Sequence, residues 1–464
     1  MPTPSIDHIS SLLTLINSAA RTLQAVYSNG SGGIPRLDDT EPHPLDGKLS
    51  TPEMKEAVQV LEGACAQLCA TLARPNHTVV NKFFLTALEP SCLRAALMFK
   101  IPDILQSRPS GMHVVDISKR CGVEPSKLAR ILRLLSTKHC FREVDRDTFA
   151  NNRLSVQLLA SNPLYSLGLH MTGDMTDGAT KLFETLADPK WGPSFFPAHT
   201  PWNKVTGQPM AMFDFWAQNP EMNSYGDRFG IGMLGWGTTV EAAAVVNAYP
   251  WSDLGPGATV CDLGGGVGAM TIQLARAHPG LRLKLQDLPD RMVQAKNVIW
   301  PAECPEVIRE NRIEFKAIDF LAEAPIPGCD VYYLKNILHA FPMAECLTIL
   351  RGIRMSMKPG SRILIHEYIL QTAGCPAQLA ERQLKRAPWP LLSNYGQGRI
   401  RQYYLDVSLM VLVNSQERTL DEYVKLGEKV GLKLMKVWEF GEMGGVELCA
   451  QDDCMEIMSC DAIF

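Results

Sequence analysis

The sequence has no apolar run approaching about 18 residues, the length a helix needs to cross a bilayer, so no transmembrane helix is expected. Its start, Met1-Pro2-Thr3-Pro4-Ser5-Ile6-Asp7-His8, lacks a basic stretch followed by an apolar core. A secretory signal is therefore not expected, and a cytoplasmic protein is. Charge of one sign is also missing: 45 Lys and Arg stand against 49 Asp and Glu, a net charge of -4. Nothing global draws the chain to nucleic acid or an anionic membrane. The 13 cysteines are scattered, and Cys65 and Cys69 sit four apart without forming a paired CxxC set. Reduced thiols are expected rather than disulfides or structural zinc. No His, Asp and Glu cluster has metal-ligand spacing, and there is no repeat or low-complexity tract. What remains is an ordinary globular composition, 46% hydrophobic and 20% charged, over 464 residues, enough for two to three domains.

The most informative stretch is Thr259-Val260-Cys261-Asp262-Leu263-Gly264-Gly265-Gly266-Val267-Gly268. An apolar strand enters a glycine-dense turn, and a helical pattern over 271–276 leaves it. Glycine permits the positive φ of a tight turn and lets a ligand approach the backbone closely. About twenty residues on, the apolar run 281–285 ends at Gln286-Asp287-Leu288-Pro289. An acid at that distance, ending the next strand, is where a βαβ nucleotide site grips a ribose.

Helical apolar spacing is read over 7–27, 52–74 and, as one or two helices, 78–104. Residues 112–155 have the pattern of a winged helix: helices at 114–120 and 126–136, then a hairpin through Phe141-Arg142-Glu143-Val144 and Thr148-Phe149-Ala150-Asn151. That shape reads DNA in other settings, with Lys127, Arg130 and Arg133 on its second helix. The surrounding acids leave no basic patch, so a dimerisation module is the preferred reading. Residues 165–250 read as mainly helical and rich in aromatics. Strands are expected at 258–263, 281–286, 312–317, 329–334, 361–367 and 432–438, with helices between most of them. The fold class is α/β, a Rossmann-like doubly wound sheet. The expected division is 1–110 helical dimerisation region, 111–160 winged helix, and 161–464 catalytic domain, with a helical pocket segment at 161–250 and the sheet at 258–464.

In such a sheet the carboxyl ends of the strands face the ligand crevice. Asp262, Asp287, Asp319 and Lys335 all fall at or just past such ends. His339 follows in Lys335-Asn336-Ile337-Leu338-His339, where an imidazole titrating near neutral pH suits a general base. Glu367 ends the strand Ile363-Leu364-Ile365-His366, and Glu417 precedes a helix whose start, Thr419-Leu420-Asp421-Glu422, fits a capping box. A carboxylate beside an imidazole fixes its tautomer and stabilises the imidazolium.

With these motifs the chain resembles the caffeic-acid-type O-methyltransferases, in a fungal form. These enzymes use S-adenosylmethionine (SAM). The resemblance spans the winged helix to the end of the sheet and rests on Asp262 to Gly268, Gln286 to Pro289, Asp319-Phe320, Leu334 to His339, His366-Glu367 and Asn414 to Thr419. It implies that Asp262, Gly264, Gly265, Gly266 and Gly268 pass the methionyl part of SAM. Asp287 and Leu288 would hold the ribose, Asp319 and Phe320 the adenine, and Lys335 the cofactor near the transfer site. His339 would be the base, flanked by Glu367 and Glu417. Met410 and Asn414 match acceptor-pocket positions, and a homodimer acting on a small molecule, without metal, is implied.

One departure stands out. The family usually reads His-Asp-Trp where this chain reads His339-Ala340-Phe341. Related fungal pericyclases keep the SAM site yet transfer no methyl, using the sulfonium as fixed charge while dehydrating and cyclising a pyridone alcohol. There a basic residue at the Lys335 position bonds a substrate carbonyl. His170, Trp236 and Thr238 or Thr239 would reach that pocket, and Val411 and Val413 would shape it. Retention of His339, Glu367 and Glu417 keeps methyl transfer to a hydroxyl of a polyketide, phenolic or pyridone metabolite ahead of this alternative. A winged-helix DNA-binding regulator comes third.

Overall fold

The computed structural model describes residues 5–30, 32–219, 221, 223–374 and 383–452. The chain divides into two compact units. One takes the chain up to Thr239, with Arg386–Ile400 and Met410–Val413; the other takes Val240–Lys385, Arg401–Leu409 and the chain from Asn414.

The first unit opens with two long helices, α1 (Ser5–Asn29) and α2 (Pro52–Leu72). Thr51 caps α2 by accepting from the Met54 amide, and Pro52 sits at its first position, where a missing N–H costs nothing. Leu12 and Ala19 pack against Ala57, Val60 and Ala64, with Leu391 and Tyr395 closing the cluster. Gly63 permits this: a Cβ there would lie 2.4 Å from the Tyr395 carbonyl oxygen.

The winged helix forms as expected. Helices α3 (Val114–Cys121) and α4 (Pro125–Thr137) lie in the chain between the first and second strands of a three-stranded sheet, β1 (Met112–His113), β2 (Arg142–Asp145) and β3 (Thr148–Ala150), whose spatial order is β1-β3-β2. Leu128, Leu132 and Leu135 of α4 bury one face against Ile117, Phe141 and Phe149. Arg133, on the other face, bonds Glu143 at 3.1 Å and Asp147 at 2.6 Å, so its charge is met within the module. Further on, α5 (Pro163–His170) packs on α6 (Asn223–Thr239). Gly232 and Gly235 make that approach possible, since a Cβ on either would stand 3.0 Å from a backbone nitrogen of α5.

The second unit is built on a seven-stranded sheet. Its strands are β4 (Thr259–Leu263), β5 (Arg282–Asp287), β6 (Ile313–Ala317), β7 (Val331–Lys335), β8 (Arg362–Glu367), β11 (Leu432–Phe440) and β12 (Met443–Ala450). A separate parallel pair joins β9 (Ile369–Leu370) to β10 (Arg418–Thr419). The large sheet runs β11-β12-β8-β7-β4-β5-β6. From β8 to β6 all pairings are parallel, and the buried strands are nearly continuous apolar runs. The chain moves outward from β4 to β6, then restarts at β7 on the other side of β4. A ligand crevice belongs at that reversal.

The sequence reading omitted β12, which hairpins back from β11 and inserts beside β8. Gly444 and Gly445 weaken its strand pattern but are sterically required. A Cβ on Gly444 would meet Ile369 at 2.4 Å, and one on Gly445 would meet Phe440 at 2.3 Å. Glu447 on the same strand is buried yet satisfied by Arg362, Tyr249 and Trp438. The ten cysteines among the described residues are free thiols. No single helix among them is long and apolar enough to cross a membrane.

Candidate active site

The loop between β4 and the helix α7 (Ala269–Ala277) is shaped by its glycines. Gly264, Gly266 and Gly268 have φ of 74°, 61° and 89°, a region costly for any residue with a Cβ. Gly265 is tight instead: a Cβ would lie 2.5 Å from the Asp262 carboxylate and 2.6 Å from Leu285. Around Gly266 there is nothing within 4 Å of the Cβ position, so the loop presents bare backbone to open space. Asp287, the last residue of β5, accepts from the Gly266 amide and from the Leu288 amide, each at 2.7 Å. These bonds fix its carboxylate beside the loop. Leu288 itself is exposed.

Asp262 is buried and bonded by the Thr271 hydroxyl. Burial raises its pKa to about 6, against the pull of Thr271 and of Lys335. Lys335 ends β7. Its ammonium has no hydrogen-bond partner among the described residues, and burial lowers its pKa against the attraction of Asp262 and Glu367. Asp319 is exposed and caps the turn beyond β6 by accepting from the Leu321 amide at 3.0 Å. Phe320 lies against the Gly264 side of the loop and meets Phe341 edge-on, ring centres 5.7 Å apart.

His339 lies on the 3-10 turn Leu338–Ala340, which follows β7. Its Nδ1 stands 2.8 Å from Glu417 Oε1, and Nε2 has no partner among the described residues. A carboxylate accepts only, so Nδ1 carries the proton and Nε2 the lone pair. Burial disfavours the charged imidazole, but Glu417 and then Glu367 outweigh it, and the pKa lies above the usual histidine value. Glu417 is pushed upward by burial, in opposition to His339.

Glu367 does not bond the ring. Its Oε1 collects three successive amides, Ile337 at 2.8 Å, Leu338 at 2.6 Å and His339 at 3.2 Å, while Oε2 accepts from the Tyr423 hydroxyl at 2.5 Å. The pairing of two carboxylates on one imidazole is corrected accordingly: Glu417 holds the ring, Glu367 the turn. The amides take Glu367 because the turn exposes three consecutive N–H groups that no helix or strand satisfies.

Of the expected pocket residues, His170, Trp236, Thr238, Met410, Val411 and Val413 belong to the first unit, and Asn414 to the second. His170 is buried, bonded through Nδ1 to Asp174 at 3.1 Å and packed edge-on against Phe229 and Trp216. Thr238 donates back to the Leu234 carbonyl at 3.0 Å, and Trp236 and Met410 are half-buried. Val413 is buried, and Val411 is buried against Gly178. Tyr423, Arg418 and Thr271 touch the site but were given no role in the sequence reading. Arg418 lay inside the quoted motif, whereas Tyr423 carried no signal at all.

The second unit thus brings together a crevice at the sheet's reversal, a glycine loop and a carboxylate-held imidazole. The O-methyltransferase domain family matches residues 196–433, and the O-methyltransferase dimerisation domain matches 82–161, which covers the winged helix. The 3-O-methyltransferase 2 of Phanerochaete chrysosporium is 40% identical over 446 residues, 96% of this chain and 98% of its own. The O-methyltransferase gedA of Aspergillus terreus is 31% identical, with 92% of each chain covered. Among solved structures, OxaC with sinefungin and meleagrin superposes with a TM-score of 0.68 at 20% identity, covering 97% of this chain and all of its own. LepI with SAM gives 0.68 at 19% identity, covering 94% and 99%. These structural likenesses show the fold alone. The chain belongs to the O-methyltransferase family and is a SAM-dependent O-methyltransferase. Its residues fit SAM: an open face at Gly266, a fixed acid at Asp287 for hydroxyl groups, and an unpartnered ammonium at Lys335.

Proposed function

We propose that this enzyme methylates a hydroxyl of a fungal polyketide, phenolic or pyridone metabolite, with His339 as general base. When bound, SAM supplies a sulfonium-activated methyl group that passes to the acceptor oxygen and leaves S-adenosylhomocysteine. The observation that carries the reading is the Glu417–His339 pair, with Nδ1 held at 2.8 Å and Nε2 without a partner among the described residues. Nε2 takes the acceptor's proton as the new C–O bond forms, and Glu417 stabilises the imidazolium produced. Asp287 binds the ribose hydroxyls, and Gly264, Gly265, Gly266 and Gly268 with Asp262 border the methionyl part. Asp319 and Phe320 flank the adenine. Lys335 holds the cofactor near the transfer site.

For the acceptor, aromatic rings support a flat molecule. Phe213, Trp216 and Phe229 pack with His170 within the first unit, which also holds Trp236, Thr238, Met410, Val411 and Val413. Residues 1–110 and 111–160 act as the dimerisation part of a homodimer, and 161–464 as the catalytic part. Cyclisation without methyl transfer is disfavoured by relatives named as methyltransferases along nearly the whole chain.

The test incubates purified protein and methyl-labelled SAM with phenols and hydroxypyridones. Label in an organic product, matched by S-adenosylhomocysteine, is expected, and loss of that label in His339→Gln with SAM still bound. An unlabelled dehydrated or isomerised product, with SAM required but intact, would overturn methyl transfer.

A further inference from the structure

We infer that Arg418 and Tyr423 are positioning residues that lock the turn carrying His339, an inference that rests on His339 as the base. The turn is gripped on both polar edges of its backbone. On the amide edge, Glu367 gathers Ile337, Leu338 and His339, and the Tyr423 hydroxyl fixes the free end of that carboxylate at 2.5 Å. On the carbonyl edge, two nitrogens of one guanidinium donate separately, Nη1 to Leu338 and Nη2 to Phe341, each at 2.7 Å. The two acceptors bracket His339 in the chain.

Arg418 is 2% exposed and makes no ion pair among the described residues, an unusual use of a fully buried guanidinium. Its planar fork spans two carbonyls at once, which a lysine ammonium on one stem does not reproduce. It also follows Glu417 directly, and its own strand, β10, is tied to β9 by parallel pairing. The contact to the His339 ring and the contacts to the Leu338 and Phe341 carbonyls therefore come from one dipeptide, so ring and turn are held in a single frame. A 3-10 turn this short has few internal bonds to resist rotation. The external bonds set where Nε2 points.

The experiment compares the full-length enzyme with Arg418→Lys, Tyr423→Phe and His339→Gln, measuring kcat, acceptor KM and SAM Kd by calorimetry. Arg418→Lys is expected to lower kcat roughly 10- to 100-fold, the scale of an ångström-sized misplacement. Its SAM Kd stays within about threefold, because it touches the turn and not the glycine loop. Tyr423→Phe is expected to lower kcat severalfold with the same split, and it decides the matter where Arg418→Lys does not fold. Wild-type kcat in either folded variant, or SAM affinity falling in step with kcat, overturns the inference while His339→Gln stays inactive. Full activity in His339→Gln would remove the base assignment itself, and the clamp with it.

Discussion

Glu417 Oε1 accepts from His339 Nδ1 at 2.8 Å, while the other oxygen of the same carboxylate, Oε2, is buried with no hydrogen-bond partner among the described residues. A buried carboxylate left half-satisfied is costly unless it meets a positive charge. His339 supplies that charge when it takes a proton, and the raised pKa of His339 reflects the same attraction acting against burial.

Glu417→Gln tests this pairing. The proposed base works only when neutral, so activity is expected to fall away on the acid side of the His339 pKa. Removing the carboxylate leaves burial to dominate, and the His339 pKa drops. The acidic limb of kcat is expected to move to lower pH, while the plateau falls roughly tenfold or more because the imidazolium loses its counter-ion. A kcat profile from pH 5 to 9 reads both effects, and a limb moving to higher pH would exclude His339 as the titrating group.

The parts of the site that follow local rules were readable in the chain. The glycine loop and Asp287 are fixed by a strand–turn–helix–strand spacing, and the Thr419–Glu422 capping box forms as the motif requires. What escaped depends on tertiary contacts. Glu367 was expected on the imidazole because its strand ends at the right rim. Where its oxygens turn depends on three amides from another segment and on Tyr423, 56 residues away in the chain. β12 escaped because two glycines, required by Ile369 and Phe440, erase its apolar alternation. Burial of Arg418 against two backbone carbonyls has no composition or spacing signature.

Asp262 makes a prediction about stability in the protein without SAM. Burial raises its pKa from 3.8 to about 6, so the folded state binds a proton that the unfolded chain releases earlier. A raised folded pKa gives stability that is complete below about pH 4 and lost as pH rises through about 6. The difference between the unfolded and folded values corresponds to roughly 3 kcal/mol. Urea titrations between pH 4 and 7 are expected to show this slope in the wild type and a flatter one in Asp262→Asn, whose amide oxygen still accepts from Thr271. Equal slopes in the two proteins would mean that Asp262 does not titrate there.

Two neighbouring glycines separate folding from cofactor binding. Gly265→Ala drives a methyl into Asp262 and Leu285, both buried, so the loop or β5 must shift. It is expected to lower Tm by several degrees and to weaken SAM binding as a consequence. Gly266→Ala meets no protein atom within 4 Å and pays only for its φ of 61°, about 1 kcal/mol. Its methyl projects into the space assigned to the cofactor, so SAM Kd is expected to rise tenfold or more with Tm falling by only a few degrees. Melting curves with and without SAM distinguish the two: Gly265→Ala starts low, whereas Gly266→Ala starts near wild type and gains little from SAM. A Gly266→Ala protein stabilised by SAM as strongly as the wild type would place the cofactor elsewhere.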